Sequence, residues 1–311
     1  MDRDFNQIVW DDGLRSDLRE LLALAIREDS GRDGDLTTAA LIPESAMGRA
    51  DVAARQEGVI AGLPAAEMAL DTFDTRLQWQ PNCEDGRPVA PGERIARIEG
   101  PARSMLTAER TVLNLLGRLS GIATLTKRYV EAVAGTQARI YDTRKTTPGW
   151  RRLEKYAVGC GGGRNHRTGL FDAVLIKDNH LAVGSAARYS PAEAVARARR
   201  FLQERPPEPT KGPRIIEVEV DTLEQLEAVL PAGPDVVLLD NMSPAQLAEA
   251  VRRRDARNRD VELEASGGVR LETVRAIATS GVDRISVGAL THAAVWLDLG
   301  LDWLSGTAGI T

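Results

Sequence analysis

Val236-Val237-Leu238-Leu239-Asp240, followed by Asn241-Met242-Ser243-Pro244, is an apolar run of strand length that stops on a carboxylate and leads into a helix start. Five more runs repeat that plan. Residues 138–143 lead to Arg144 and Lys145, 173–176 end at Lys177, and 215–220 contain Glu219. Residues 261–265 end at Ser266-Gly267-Gly268, and 284–287 end at Gly288. Helical patterns separate most of them, over 150–158, 192–203, 223–230, 244–257 and 271–280. Repeated βα units predict parallel strands whose carboxyl ends share one rim, where α/β barrels carry their chemistry. This rim would hold three cations, two carboxylates and two glycine-bearing turns. Such a set suits a substrate with several negative charges and a divalent metal.

The chain before this series has a different texture. Residues 16–28 read as an amphipathic helix, with Leu18, Leu21, Leu22, Ala25 and Ile26 on one face. Residues 48–55 and 58–62 alternate like strands, and 63–73 read as a helix with Pro64 in its first turn. Residues 77–80 and 94–99 look like further strands. The pattern predicts a mixed domain with an open antiparallel sheet. Residues 104–134 form a long helical stretch, expected to break near Ser120-Gly121. The domain boundary is placed within 106–116: residues 1–112 form the first domain and 113–292 the second. The Pro-rich segment 205–213 reads as a surface loop.

Composition narrows the class. The 311 residues are 43% hydrophobic and 27% charged, which is enough apolar material for a sizeable core. A net charge of −5 disfavours non-specific binding to nucleic acid or to an acidic membrane. No run of 18 apolar residues is present, and Met1-Asp2-Arg3-Asp4-Phe5-Asn6-Gln7-Ile8-Val9-Trp10 lacks the apolar stretch of a secretory signal. Cys83 and Cys160 form no CxxC pair and read as free thiols in a reducing cytoplasm.

Candidate chemistry concentrates at the strand ends. Thr143-Arg144-Lys145 places a bidentate clamp and a point charge together, or else is an exposed basic loop. Gly161-Gly162-Gly163-Arg164-Asn165-His166-Arg167 puts a histidine and an arginine on a glycine hinge. A metal site there lacks a second His or Cys at ligand spacing, so an anion clamp fits better. Lys177 closes an apolar strand and reads as a snorkelling side chain, a site cation or a Schiff-base nucleophile. Glu219 and Asp240 read as magnesium- or hydroxyl-binding groups, or as salt bridges closing the rim. Glu264-Ala265-Ser266-Gly267-Gly268 and Ser286-Val287-Gly288-Ala289 are two strand-to-glycine turns in consecutive units, a pattern that suits phosphate.

These residues together resemble the quinolinate phosphoribosyltransferases. The resemblance runs through Gly34-Asp35-Leu36-Thr37-Thr38, Gly58-Val59-Ile60-Ala61-Gly62-Leu63-Pro64, Thr107-Ala108-Glu109-Arg110-Thr111 and Leu119-Ser120-Gly121-Ile122-Ala123-Thr124. It continues through 142–149, 161–167, 175–180, 217–220, 239–242, 264–268 and 283–292. It implies an N-terminal α/β open sandwich, an incomplete seven-stranded α/β barrel and a C-terminal tail, 293–311, that rejoins the first domain. Only six strands are legible without it. It implies a homodimer, with further assembly left open, in which Arg110 reaches the site of the neighbouring subunit. Arg110, Arg144, His166, Arg167 and Lys177 would be the quinolinate-binding cations. Thr143 and Lys145 would contact substrate, Lys145 at phosphoribosyl pyrophosphate. Glu219 and Asp240 would hold ribose hydroxyls and the magnesium environment. Ser266, Gly267, Gly268, Val287, Gly288 and Ala289 would hold the phosphate end, with His292 close by. Lys145, Lys177, Glu219 and Asp240 are the expected catalytic groups.

The chain departs from the family pattern at Gly159 and at Ala293-Ala294-Val295, neither of them a catalytic position. Three rival readings stand beside this one. A phosphoribosyltransferase linked to molybdate transport would share the fold, but Asn165-His166-Arg167 and Lys177-Asp178-Asn179-His180 favour the quinolinate enzyme. A Schiff-base aldolase would use Lys177 and leave the arginines idle. A nucleic-acid binder would use Arg252-Arg253-Arg254 and Arg257, which read more simply as a solvated helix end.

Overall fold

The computed structural model describes residues 4–183, 189–205 and 214–304. From residue 206 on, the expected 205–213 loop lies outside the described residues. In chain order the strands are β1 (Met47–Ala54), β2 (Gly58–Val59), β3 (Gln78–Pro81), β4 (Pro88–Val89), β5 (Arg94–Pro101), β6 (Arg139–Tyr141), β7 (Val174–Ile176), β8 (Ile216–Val220), β9 (Val236–Asp240), β10 (Glu262–Ser266), β11 (Arg284–Ser286) and β12 (Leu299–Trp303). The helices are α1 (Asp12–Ser30), α2 (Leu36–Leu41), α3 (Leu63–Phe73), α4 (Ala102–Ala132), α5 (Arg151–Cys160), α6 (Asp178–Val183), α7 (Pro191–Glu204), α8 (Leu223–Val229), α9 (Pro244–Arg257), α10 (Leu271–Ala278) and α11 (Ala289–His292). The chain divides into two compact units. One contains Ile8–Lys127, Thr146–Gly162 and the chain from Leu290 on. The other contains the chain up to Gln7, Arg128–Lys145 and Gly163–Ala289.

The first unit carries an antiparallel sheet in the order β12-β1-β5-β3. Alternation in β1 explains its placement: Gly48, Ala50 and Val52 are buried, while Arg49 and Asp51 stay partly exposed. Asp51 takes Arg97 of β5 in a paired contact at 2.7 and 3.0 Å. The C-terminal segment returns to this unit as β12, with Ala50 opposite Trp303. Helix α4 runs unbroken, so the break expected near Ser120-Gly121 and a cut at 112/113 both fall inside one helix. The glycine serves a different need. A Cβ on Gly121 would lie 2.2 Å from the Val295 carbonyl oxygen, so the position stays bare to let that backbone approach.

The second unit carries six parallel strands in the order β6-β11-β10-β9-β8-β7. Val236 to Leu239 are all buried, as a parallel strand covered on both faces requires. These are the six strands legible in the sequence. In place of a full seventh, Arg164 makes a one-residue parallel bridge to Tyr141. It donates to the Ile140 carbonyl at 2.8 Å and accepts from Asp142 N–H at 3.0 Å. The bridge extends the order beyond β6. Two residues on, His166 contacts Glu217 of β8, near the opposite end of that order. A flat sheet cannot make that contact, so the sheet is curled into an incomplete barrel.

Candidate active site

Side chains at i and i+2 of a strand share a face, so a barrel strand can send one polar group to the rim and another below it, as β8 and β10 do. On β8 these are Glu219 above and Glu217 beneath. On β10 they are Ser266 and Glu264. At the rim, Lys177 Nζ lies 2.7 Å from Glu219 Oε2, with the lysine side chain 42% and the glutamate 13% exposed. Asp240 ends β9 in register with Ser266. It accepts from Asn241 Nδ2 at 2.7 Å. Asn241 is the one non-glycine residue with positive φ (54°) among the described residues, and its N–H donates to the Ser266 carbonyl at 2.9 Å. Gly267 is packed against it: a Cβ there would meet Asn241 Oδ1 at 2.2 Å, at a φ of +90°. The Ser266-Gly267-Gly268 turn is therefore built by two successive left-handed glycines locked to the neighbouring strand end. Beyond β11, Val287 N–H donates to the Tyr141 carbonyl at 2.8 Å, which fixes the start of the Val287-Gly288-Ala289 turn.

Arg167 is buried. Its pKa is lowered first by that burial and next by repulsion from Arg144, while Glu217 and Asp172 oppose the shift. Two guanidinium groups close enough to repel, one of them out of water, make a site that gains from a bound anion. Thr143 Oγ1 accepts from Lys145 N–H at 3.0 Å and shapes the turn from which Arg144 and Lys145 project.

Beneath the rim lies a cluster of His166, Glu217 and Glu264, all buried. His166 Nε2 is 2.9 Å from Glu217 Oε2 and 3.5 Å from Glu264 Oε1. The ligand atoms of the three lie within 4.8 Å of one another, as metal binding would require. The other ring nitrogen argues against a metal. His166 Nδ1 accepts the Arg167 backbone N–H at 2.8 Å, which puts the ring proton on Nε2, facing the glutamates. His166, expected among the rim cations, is therefore turned inward, with Nε2 facing the two glutamates. Burial, then repulsion from Glu217, raises the Glu264 pKa, while His166, Ser286 and Arg284 lower it.

Asp142, fully buried, organises the histidine's own segment. It accepts from Asn165 Nδ2 and from His166 N–H, each at 2.8 Å. Glu217, Glu264, Asp142 and Asn165 were absent from the sequence-derived site. Period-two counting back from Glu219 and Ser266 would have found the two glutamates. Nothing local in the sequence marks the other two. Arg110, on α4, and His292 are exposed and belong to the other unit.

Comparison with known proteins agrees with this reading. The model of the quinolinate phosphoribosyl transferase N-terminal domain matches residues 35–120, and that of the C-terminal domain matches 122–302. The chain is 45% identical over 289 residues to a nicotinate-nucleotide pyrophosphorylase [carboxylating] of Mycobacterium leprae, covering 91% of this chain and 96% of that one. It is 39% identical over 300 residues to quinolinate phosphoribosyltransferase [decarboxylating] 1b of Nicotiana tabacum, covering 92% and 82%. A solved nicotinate-nucleotide pyrophosphorylase from Francisella tularensis superposes with a TM-score of 0.86 at 36% identity, covering 97% of this chain and all of that one. With both domain models matched in order and identity sustained over nine-tenths of its length, the chain belongs to the quinolinate phosphoribosyltransferase family of enzymes.

Proposed function

We propose that the barrel rim joins quinolinate to phosphoribosyl pyrophosphate, releasing pyrophosphate and carbon dioxide and giving nicotinate mononucleotide. The observation that carries this reading is the buried Arg167 under repulsion from Arg144, with Lys177 directly after β7 in the same unit. Arg144, Arg167 and Lys177 hold the two carboxylates of quinolinate, and Arg110 joins them from the second subunit of a dimer. Lys145 contacts phosphoribosyl pyrophosphate, within reach of Thr143. The turns Ser266-Gly267-Gly268 and Val287-Gly288-Ala289 take the phosphate end, with His292 near it. Glu219 and Asp240 hold the ribose hydroxyls. His166 serves by orienting its neighbours.

The chemistry needs positioning and charge, without a covalent nucleophile. Pyrophosphate leaves with the C1–O electron pair, and the ring nitrogen attacks the resulting oxocarbenium-like carbon. Loss of carbon dioxide then leaves an electron pair on the adjacent ring carbon, which a proton takes up. Fixed cations stabilise both charge changes. Lys177 is already engaged by Glu219, which counts against the Schiff-base rival.

Magnesium fits the rim. Glu219 and Asp240 end adjacent strands and offer hard oxygen donors of the kind it prefers. Bound there with the pyrophosphate group, it would neutralise charge on the leaving group. Activity should vanish in excess chelator and return with added magnesium. Asp240→Asn should weaken phosphoribosyl pyrophosphate more than quinolinate; an equal loss for both would move Asp240 out of this role. The two free thiols, Cys83 and Cys160, suit a reducing compartment, and the cytoplasm is the proposed location. Among the described residues, no helix is long and apolar enough to cross a membrane.

The direct test is to mix the protein with quinolinate, phosphoribosyl pyrophosphate and magnesium and to assay nicotinate mononucleotide. Quinolinate should be strongly preferred over nicotinate, because a monoacid forgoes one of the charged contacts the dicarboxylate makes, at a cost of roughly 2–5 kcal/mol. Comparable turnover of nicotinate would sink the reading.

A further inference from the structure

We propose that Asp4, Phe5 and Gln7 form a plug in the barrel floor that positions Arg167 for quinolinate, acting through Asn165 and His166. Phe5 is buried, in a cluster with Tyr141, Ala173, Ile215 and Val236. Those residues lie at or just outside the ends of β6, β7, β8 and β9, so the ring fills space below the reacting groups. Its face stacks on the His166 imidazole, with centroids 4.2 Å apart and planes at 29°. The Arg284 guanidinium lies 5.4 Å from the same ring.

Asp4 ties the plug to the floor by charge. Its carboxylate accepts from Tyr141 Oη at 3.0 Å, pairs with Arg164, and lies 3.9 Å from the fully buried Arg284. Gln7 then treats Asn165 as a neighbouring strand would. Gln7 Oε1 accepts the Asn165 N–H at 2.8 Å, and Gln7 Nε2 donates to the Asn165 carbonyl at 3.2 Å. The segment 164–167 is therefore held from below at three consecutive residues: Arg164 by Asp4, Asn165 by Gln7, and His166 by Phe5.

The next residue is Arg167, whose N–H is fixed by His166 Nδ1. The incomplete barrel explains why a plug is needed. Arg164 makes a one-residue bridge where a full strand would pair along its length, so side chains help to hold the segment: Asp142 on one side and the plug from below. Side chains that act in a site are precise only when the groups behind them are locked.

The inference rests on the reading of Arg167 as a quinolinate contact, and its test separates the two. Phe5→Ala and Gln7→Ala are made in the full chain. Three quantities are read well below the melting temperature: quinolinate affinity by calorimetry, the KM for each substrate, and hydrogen exchange over 163–167. Phe5→Ala should weaken quinolinate about tenfold, the scale on which loss of a supporting group is felt at a ligand-binding residue. The KM for phosphoribosyl pyrophosphate should stay within about twofold by the same reasoning, since the plug does not support that side. Exchange at residues 165–167 should accelerate in both variants. Gln7 is exposed, so Gln7→Ala keeps the test alive if Phe5→Ala fails to fold. A lowered melting temperature with unchanged quinolinate affinity and unchanged exchange would overturn the proposal. Faster exchange in a protein whose wild type binds no quinolinate would uphold the plug and refute the functional reading instead.

Discussion

Arg167→Met should abolish most activity while leaving the fold at least as stable as before. Methionine retains length and apolar volume but removes the charge. In the substrate-free protein that charge is buried and repelled by Arg144. On the proposed function, bound quinolinate is what the charge is for. Losing a buried ionic contact costs roughly 2–5 kcal/mol, which is ~30- to ~5,000-fold in kcat/KM for quinolinate. Affinity for phosphoribosyl pyrophosphate should change little. Arg167→Lys should recover only part of the loss, because a point charge cannot reproduce a planar two-pronged clamp. The melting temperature should stay level or rise, the trade expected where a site residue is held against its own stability. Activity within threefold of wild type would remove Arg167 from the site. A fall in melting temperature that tracks the loss of activity would make the residue structural, with Glu217 and Asp172 as its true partners.

The parallel strands were legible because burial on both faces forces continuous apolar runs, and Val236-Val237-Leu238-Leu239 leaves no other reading. The rim cations and carboxylates were legible for the same reason: a charge that ends such a run has only the rim to go to. The residues below the rim were harder. Glu217 sits two positions before Glu219, and its burial depends on a histidine that comes from beyond a one-residue bridge. No spacing rule encodes that encounter. The inward turn of the His166 ring was not legible because Nδ1 is held by the N–H of its own neighbour, a matter of local backbone geometry. Gly121 was misread as a helix break because sequence cannot show that Val295 packs against it. Asp4–Gln7 is short, polar and without period, so only its contacts reveal a role. The glycine turns were placed correctly at their strand ends, since left-handed backbone at a strand-to-helix turn is what repeated glycine is for.

Arg110→Ala and Lys177→Ala should each be nearly inactive alone and should recover activity when mixed under subunit exchange. Arg110 lies on α4 between buried Ala108 and Val112, yet is itself exposed. The proposed function gives this exposed arginine a partner in the site of a second copy. Lys177 belongs to the barrel of its own chain, at the end of β7. In a two-fold dimer each site then takes Lys177 from one subunit and Arg110 from the other. A hybrid dimer holds one site with both defects and one with neither. Random pairing at equal amounts makes about half the dimers hybrid, so roughly a quarter of all sites should be intact. Native mass spectrometry reports the hybrid fraction, and the activity recovered should rise in proportion to it. Hybrids present without activity would show that Arg110 serves its own subunit or lies outside the site. Activity recovered at a quarter of the wild-type rate would make the single subunit an incomplete enzyme, with a rim that lacks one of its quinolinate-binding cations until a second copy supplies it.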